Sequence, residues 1–259
     1  MNIKNDNKKI MFTVIFFDFN GTIIDKNCTY ELSQKLLSND DYEKILEIDK
    51  TDYIATYNYF YKKAKEIGLT LNDIILNLQK LNLSEGILNL FSYLQKNKSK
   101  YELVILSSDI NFSVKSILKH IGFLELFDEL ILNKEIIQEE NKESLIFVEH
   151  NQYPHNCEMC DSSMCKGLEM AKYITKNKDK NYQQIYFICD GGNDICPCLK
   201  ALKKGDVVCP RFGFKLWKEL FENNKKNDII CDIFPWKNAE ELISKLKKNK
   251  LMLILYYID

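Results

Sequence analysis

Arginine is almost missing from this 259-residue chain: Arg211 stands alone among 36 basic residues, the rest being lysine. A lysine cannot pair a carboxylate or phosphate through a planar fork, so Arg211 is the one position open to that role. Charge of one sign is also lacking. Thirty-six basic against 37 acidic side chains leave a formal charge of −1, and no stretch concentrates positive charge, so a nucleic-acid partner is not expected. With only four prolines and nine glycines, no low-complexity linker or internal repeat divides the chain. No apolar run approaches the roughly 20 residues of a membrane span, and the closing LMLILYYI reads as a buried strand. The opening MNIKNDNKK lacks the apolar core of a secretory signal. Together with an odd count of nine cysteines, this gives the expectation of a reducing, cytoplasmic setting with free or metal-bound thiols.

What is present is enough apolar material, 46% of residues, for one sizeable core with a smaller appended domain. Continuous apolar and β-branched runs at Ile10–Phe17, Tyr101–Leu106, Glu129–Leu132, Ile185–Cys189 and Asp206–Cys209 predict strands buried on both faces. Helical periodicities fall at Ser113–Ile121, Cys165–Ile174, Asp194–Leu202, Phe214–Phe221 and Ala239–Leu246. Strands alternating with helices predict a three-layer, doubly wound α/β fold with a parallel sheet. Thr29–Asn97 interrupts the alternation with four helical patterns and no strand. The expected domains are therefore residues 1–28 and 99–259 as the core and 29–98 as an inserted helical cap. An insertion directly after the first strand overhangs the carboxyl edge of the sheet, where such folds place their sites.

Three strand ends carry chemistry. Asp18 closes the first strand and opens DFNGTIID; a carboxylate there suits a nucleophile or a metal ligand, or is simply a turn residue. In LVILSSDIN, Ser107 or Ser108 either holds a phosphoryl oxygen or caps the next helix. In IYFICDGGNDICP, Asp190 and Asp194 bracket two glycines. Two carboxylates so close are costly unless a cation sits between them, although each has an ordinary turn or helix-start reading as well. Lys166 begins a helix, where its charge opposes the helix dipole and calls for something negative nearby.

In this order DFNGTIID, SSDIN, HNCEMCDSSMCKG, CDGGNDICP, GDVVCPRFGF and IFPW resemble the haloacid dehalogenase superfamily of phosphatases. The resemblance is to the branch acting on phosphoethanolamine, phosphocholine or pyridoxal phosphate. It implies a Mg²⁺-dependent hydrolase of a small phosphomonoester, working through an aspartyl-phosphate on Asp18. Lys166 would neutralise the phosphoryl group and orient Asp18, and Ser108 would bind the phosphoryl oxygens. Asp18, Asp190, Asp194 and the backbone carbonyl of Asn20 would hold Mg²⁺. Three carboxylates and one lysine sum to −2, which one Mg²⁺ cancels.

Position 20 departs from that pattern, because the family carries an aspartate there as the acid and base of the two half-reactions. An amide does neither, a loss of ~10²–10⁴ in rate or roughly 3–5 kcal/mol. Three explanations are open: a slow or non-hydrolysing relative that binds phosphate compounds, an engineered trap, or rescue by another group such as Asp25. Cys189 replaces a glycine of the family and is expected to crowd its loop slightly. Asp109 and Asn111 are candidates to meet an ammonium or hydroxyl of the substrate, Asp109 equally a candidate for bonding its own loop. Thr29 stands where phosphoethanolamine-specific relatives have an acid. The segment His155, Cys157, Cys160, Cys165 has the residue types of a zinc site or forms a loop of free thiols, and a zinc-stabilised interaction module is the third class considered. Cys196, Cys198, Cys209 and Cys231 are expected as small core residues. Oligomeric state is not legible.

Overall fold

The computed structural model describes residues 12–50, 52–140, 143–148, 155–160 and 163–255. Its elements, in chain order, are β1 (Thr13–Phe17), α1 (Cys28–Leu36), α2 (Asn39–Asp49), α3 (Tyr53–Glu66), α4 (Leu71–Leu78), α5 (Ile87–Lys96) and β2 (Tyr101–Ile110). There follow α6 (Asn111–His120), β3 (Glu129–Asn133), β4 (Glu135–Glu140), β5 (Glu143–Val148), α7 (Lys166–Lys176) and β6 (Gln184–Cys189). The chain then forms α8 (Ile195–Lys200), β7 (Val207–Pro210), α9 (Lys215–Phe221), β8 (Asp232–Ile233) and α10 (Ala239–Leu255).

Six strands make one parallel sheet in the order β3-β2-β1-β6-β7-β8. Because alternate side chains of a strand point to opposite faces, β1 splits cleanly. Ile15 and Phe17 enter the core shared with α5, α6 and α10, while Val14 and Phe16 enter the core under α7, α8 and α9. The same division runs through Leu103 and Ile105 against Val104 and Leu106, so both faces are covered and the predicted three-layer α/β architecture is what forms. Order reverses at β1, with β2 on one side and β6 on the other. The crevice outside the carboxyl ends of β1 and β6 is the switch point where doubly wound sheets bind ligands.

Between β1 and β2 lie five helices. The additional one, α4, is announced by a reciprocal capping box between Thr70 and Asp73, a signal that the sequence does carry. α5 packs against the core: Phe91 meets Phe17 edge-on at 6.0 Å, and the N–H of Ala239 in α10 donates to the Glu85 carbonyl at 2.9 Å. An antiparallel ribbon, β4 with β5, lies alongside α3 and was not expected. The predicted C-terminal strand is corrected: Leu251–Leu255 belong to α10, and residues 256–259 fall outside the described set. Nothing between Leu246 and Leu255 breaks a helix, and lysine and leucine are good helix formers. No helix among the described residues is long and apolar enough to cross a membrane.

Candidate active site

The β1 ladder does not end at Phe17, since the Asp18 N–H still donates to the Ile188 carbonyl of β6 at 2.9 Å. This bond fixes Asp18 at the switch point, and the Phe19 N–H at 2.6 Å holds its Oδ1. Gly21 then turns the chain with φ +72°, and a Cβ there would lie 2.1 Å from Asp190 Oδ2. Both the dihedral and the space require glycine. The turn lets Thr22 Oγ1 donate to Asp190 Oδ1 at 2.9 Å.

Lys166, in the first turn of α7, is buried, and its Nζ lies 2.7 Å from Asp18 Oδ2 and 2.7 Å from Asp194 Oδ1. These two carboxylates are the negative charge that its place at a helix N-terminus called for. Burial disfavours the ammonium, but Asp18 and Asp194 outweigh it and hold Lys166 above the ordinary lysine range. The other oxygen of Asp194 accepts from the Gly191 N–H at 2.7 Å and the Asp190 N–H at 3.2 Å. Burial nevertheless pushes Asp194 up to about 6, against the pull of Lys166. Burial and then the charges of Asp18 and Asp194 push Asp190 well above the carboxylate range. Oxygens of Asp18, Asp190 and Asp194 all lie within 4.8 Å of one another. One lysine cannot balance three such carboxylates, and the set of hard oxygen donors fits a small divalent cation.

These groups open into a cleft of about 850 Å³. Asp18, Asn20, Ser108, Lys166 and Asp190 line it from the core, while Asn27 at the N-cap of α1 and Tyr30, Lys50 and Tyr53 of the helical insertion face it. Ser108 lies at the carboxyl end of β2, and its Oγ accepts from Asn193 Nδ2 at 3.4 Å. Asn193, within the β6 loop, has no counterpart among the expected site residues. Its signal was its place between the two aspartates.

Asn20 is held from both ends of its amide: Nδ2 donates to Asp109 Oδ2 at 2.9 Å and Oδ1 accepts from the Cys28 N–H at 2.8 Å. Asp109 is fully buried beneath it and outside the cleft lining. Burial pushes its carboxyl up to about 6, opposed by the Ile110 N–H, the Asn20 amide and the Tyr57 hydroxyl. Asn111 is also away from the cleft, its N–H donating to Glu135 at 3.1 Å and its amide to the Asn133 carbonyl at 3.3 Å. Thr29 is buried in the first turn of α1 and does not line the cleft. Asp25 is not placed to rescue position 20, because Arg211 Nη2 binds its Oδ1 at 2.6 Å. Through Nη1 the same guanidinium binds the Gly21 carbonyl at 2.8 Å, so Arg211 pins the nucleophile loop rather than a ligand. Cys189 points down between the carbonyls of Phe187 and Cys209, at 3.7 and 3.9 Å, and leaves its loop uncrowded. His155 bonds its own segment, Nδ1 accepting from the Cys157 N–H at 3.4 Å.

Comparison with known proteins agrees with this geometry. The family described as Putative Phosphatase matches residues 13–250. Human pyridoxal phosphate phosphatase is 29% identical over 219 residues, covering 81% of this chain and 86% of its own. Chicken phosphoethanolamine/phosphocholine phosphatase is 24% identical over 218 residues, covering 82% and 78%. A phosphoserine phosphatase crystal structure in the apo form superposes with a TM-score of 0.57 at 15% identity, covering 90% of this chain and 98% of that one, a likeness of fold. The chain therefore belongs to the Putative Phosphatase family, a haloacid dehalogenase-type group of phosphoric monoester hydrolases related to the pyridoxal phosphate and phosphoethanolamine/phosphocholine phosphatases.

Proposed function

We propose that this protein hydrolyses a small phosphomonoester through a covalent aspartyl-phosphate on Asp18, with Mg²⁺ as cofactor. The observation that carries the reading is the buried Lys166 bridging Asp18 and Asp194 at 2.7 Å each, where it lines a cleft over the switch point. Asp18, Asp190, Asp194 and the backbone carbonyl of Asn20 would hold Mg²⁺, which supplies positive charge to the phosphoryl oxygens and lowers repulsion against an anionic nucleophile.

Asp18 attacks phosphorus as the bond to the leaving oxygen breaks, and the departing alkoxide takes its proton from solvent water. The Lys166 ammonium, already fixed on Asp18, offsets charge on the phosphoryl group, and the Ser108 hydroxyl, oriented by Asn193, binds one of its oxygens. Water then attacks the aspartyl-phosphate, loses its proton to bulk solvent and frees phosphate as the bond to Asp18 breaks, restoring the carboxylate. Each half-reaction moves a proton that Asn20 does not carry, so turnover is slow and binding is retained. Among substrates the aromatic rings of Tyr30 and Tyr53 in the cleft favour pyridoxal 5′-phosphate over phosphoethanolamine and phosphocholine.

The test is phosphate release from these three compounds in Mg²⁺ by the native chain, by Asn20→Asp and by Asp18→Asn. Release is expected from pyridoxal 5′-phosphate first, faster with Asn20→Asp, and absent with Asp18→Asn. Asn20's amide, spent on Asp109 and Cys28, supports a second reading as a binding protein for phosphate compounds. That reading stands if neither the native chain nor Asn20→Asp turns over any of the three while both bind them.

A further inference from the structure

The loop from Cys157 to Cys165 and the start of α8 bring a second group of ligating side chains together behind the carboxylates. Cys157 and Cys165 each place Sγ 3.6 Å from Cys196 Sγ, and the sulfurs of Cys157, Cys160, Cys165 and Cys196 all lie within 4.8 Å of one another. We propose that these four cysteines form a structural zinc site.

The spacing discriminates between the things four thiols can do. A disulfide needs sulfurs about 2.05 Å apart, far closer than these. Four sulfurs on a tetrahedron around zinc, with Zn–S about 2.3 Å, stand about 3.8 Å from each other, close to the 3.6 Å from Cys196 to Cys157 and to Cys165 and within the 4.8 Å that bounds the whole set. All four donors are sulfur and three are buried, with Cys160 half-buried, so the site is closed, as structural zinc sites are and catalytic ones are not. Close approach is built in: a Cβ on Gly167 would lie 2.7 Å from Cys196 Sγ and 3.0 Å from the Cys196 carbonyl oxygen. Four thiolates around one Zn²⁺ carry −2, and Lys200 Nζ, 3.2 Å from Cys157 Sγ, supplies local positive charge. The fourth ligand is Cys196 rather than His155, and Cys196 is a ligand rather than a plain core residue.

The site has a mechanical meaning. Cys165 directly precedes Lys166, and Cys196 follows Asp194 by two residues; Cys160 Sγ also reaches the Asn193 carbonyl at 4.0 Å. Zinc therefore ties the segment carrying Lys166 to the loop carrying Asp190, Asn193 and Asp194, and makes the four cysteines positioning residues. This inference does not depend on the proposed reaction, because zinc is counted without turnover.

The native chain, exhaustively dialysed against chelator at neutral pH, is expected to keep one zinc per chain by elemental analysis and to release it when its thiols are titrated with a mercurial. Refolding with Co²⁺ is expected to give the sulfur-to-cobalt charge-transfer and red d–d absorption of a tetrahedral thiolate site. Cys196→Ser is expected to lose the zinc, whereas Cys209→Ser and Asp190→Asn keep it. Substoichiometric zinc in the native chain with a cobalt spectrum lacking tetrahedral thiolate bands would overturn the proposal, as would stoichiometric iron in place of zinc. Zinc lost with Asp190→Asn and retained with Cys196→Ser would place the metal among the carboxylates and overturn it as well. The mercurial titration and cobalt spectrum use the unaltered chain, so they decide the matter even where Cys196→Ser fails to fold.

Discussion

Two clusters share the N-terminus of α7 and the loop after β6, and they differ in nearly every respect. The carboxylates of Asp18 and Asp190 line an open cleft with that of Asp194 buried behind them; all three are hard oxygen donors, and Lys166 bridges Asp18 and Asp194. The thiols of Cys157, Cys160, Cys165 and Cys196 are soft donors packed mainly on one another. An open site with charge left over exchanges ligands; a closed one holds shape. Adjacent residues serve the two purposes, Lys166 in one cluster and Cys165 in the other. The sharpest way to break the comparison is to remove one cluster's chemistry and watch the other.

The largest effect is expected from Asp18→Asn, which removes the nucleophile and keeps one oxygen that can still accept from the Phe19 N–H, while Lys166 retains Asp194 as its ion-pair partner. Turnover should fall by about 10⁴-fold or more, with circular dichroism and zinc content unchanged. Residual activity within tenfold of native, measured on freshly purified protein, would show that Asp18 is not the attacking group.

Next in size is Asn20→Asp. The new carboxylate would stand where an amide now donates to Asp109 at 2.9 Å, and two carboxylates at that separation share a proton. A shared proton is what the leaving alcohol requires. kcat on alkyl phosphates is expected to rise by about 10²-fold with little change in KM. For p-nitrophenyl phosphate, whose leaving group barely needs protonation, the gain should be smaller. Equal rates for the two proteins on alkyl phosphates would mean that another residue moves the protons.

The sequence disclosed the carboxylate cluster far better than the thiol one. Asp18, Ser108 and Asp190 each follow a bounded apolar run, so strand ends could be read as neighbours in space before any contact was known. Lys166 was legible as a charge in conflict with its helix. Cys196 was not, because it sits in apolar company at ICPCLK, and its partners lie more than thirty residues away in sequence. Local spacing favoured His155, whose ring instead accepts from the Cys157 N–H. Asn111 was misplaced for a related reason, while Asp109 follows the second of its two readings and bonds its own loop, accepting from the Ile110 N–H at 2.7 Å. The β2 strand runs on to Ile110 with a break in register after Leu106, and the side chains after Ser108 turn into packing that periodicity does not reveal. The ribbon of β4 and β5 and the extension of α10 were settled by tertiary partners and by the absence of a breaker.

A smaller effect on turnover is expected from removing thiols. Cys157→Ser with Cys160→Ser should abolish zinc binding and lower Tm by several degrees, while kcat per folded chain falls by less than about tenfold. The Lys166 bridge to Asp18 and Asp194 survives through its own two ion pairs. A loss as large as that of Asp18→Asn, with the fold intact, would mean that the thiols take part in chemistry and would erase the division of labour.

The smallest effect concerns how the carboxylate cluster answers Mg²⁺ as pH changes. In the metal-free fold Asp194 is raised to about 6 and Asp190 is raised too, each chiefly by burial. Between their unfolded and folded values the folded chain holds more protons than the unfolded one. Stability without metal therefore falls as pH rises through that window, and the penalty is complete above it. Mg²⁺ needs the ionised carboxylates, so binding releases protons and competes with them at low pH. At about 100 times its dissociation constant a ligand adds about 2.7 kcal/mol, or several degrees of Tm for a chain this size. That increment is expected nearly in full at about pH 8 and largely lost at about pH 5. Thermal melts with and without Mg²⁺ on zinc-loaded protein measure it, and Asp190→Asn should shrink it at the higher pH. An increment that is the same at both pH values, or that survives Asp190→Asn undiminished, would place Mg²⁺ elsewhere and remove the hard-donor half of the comparison.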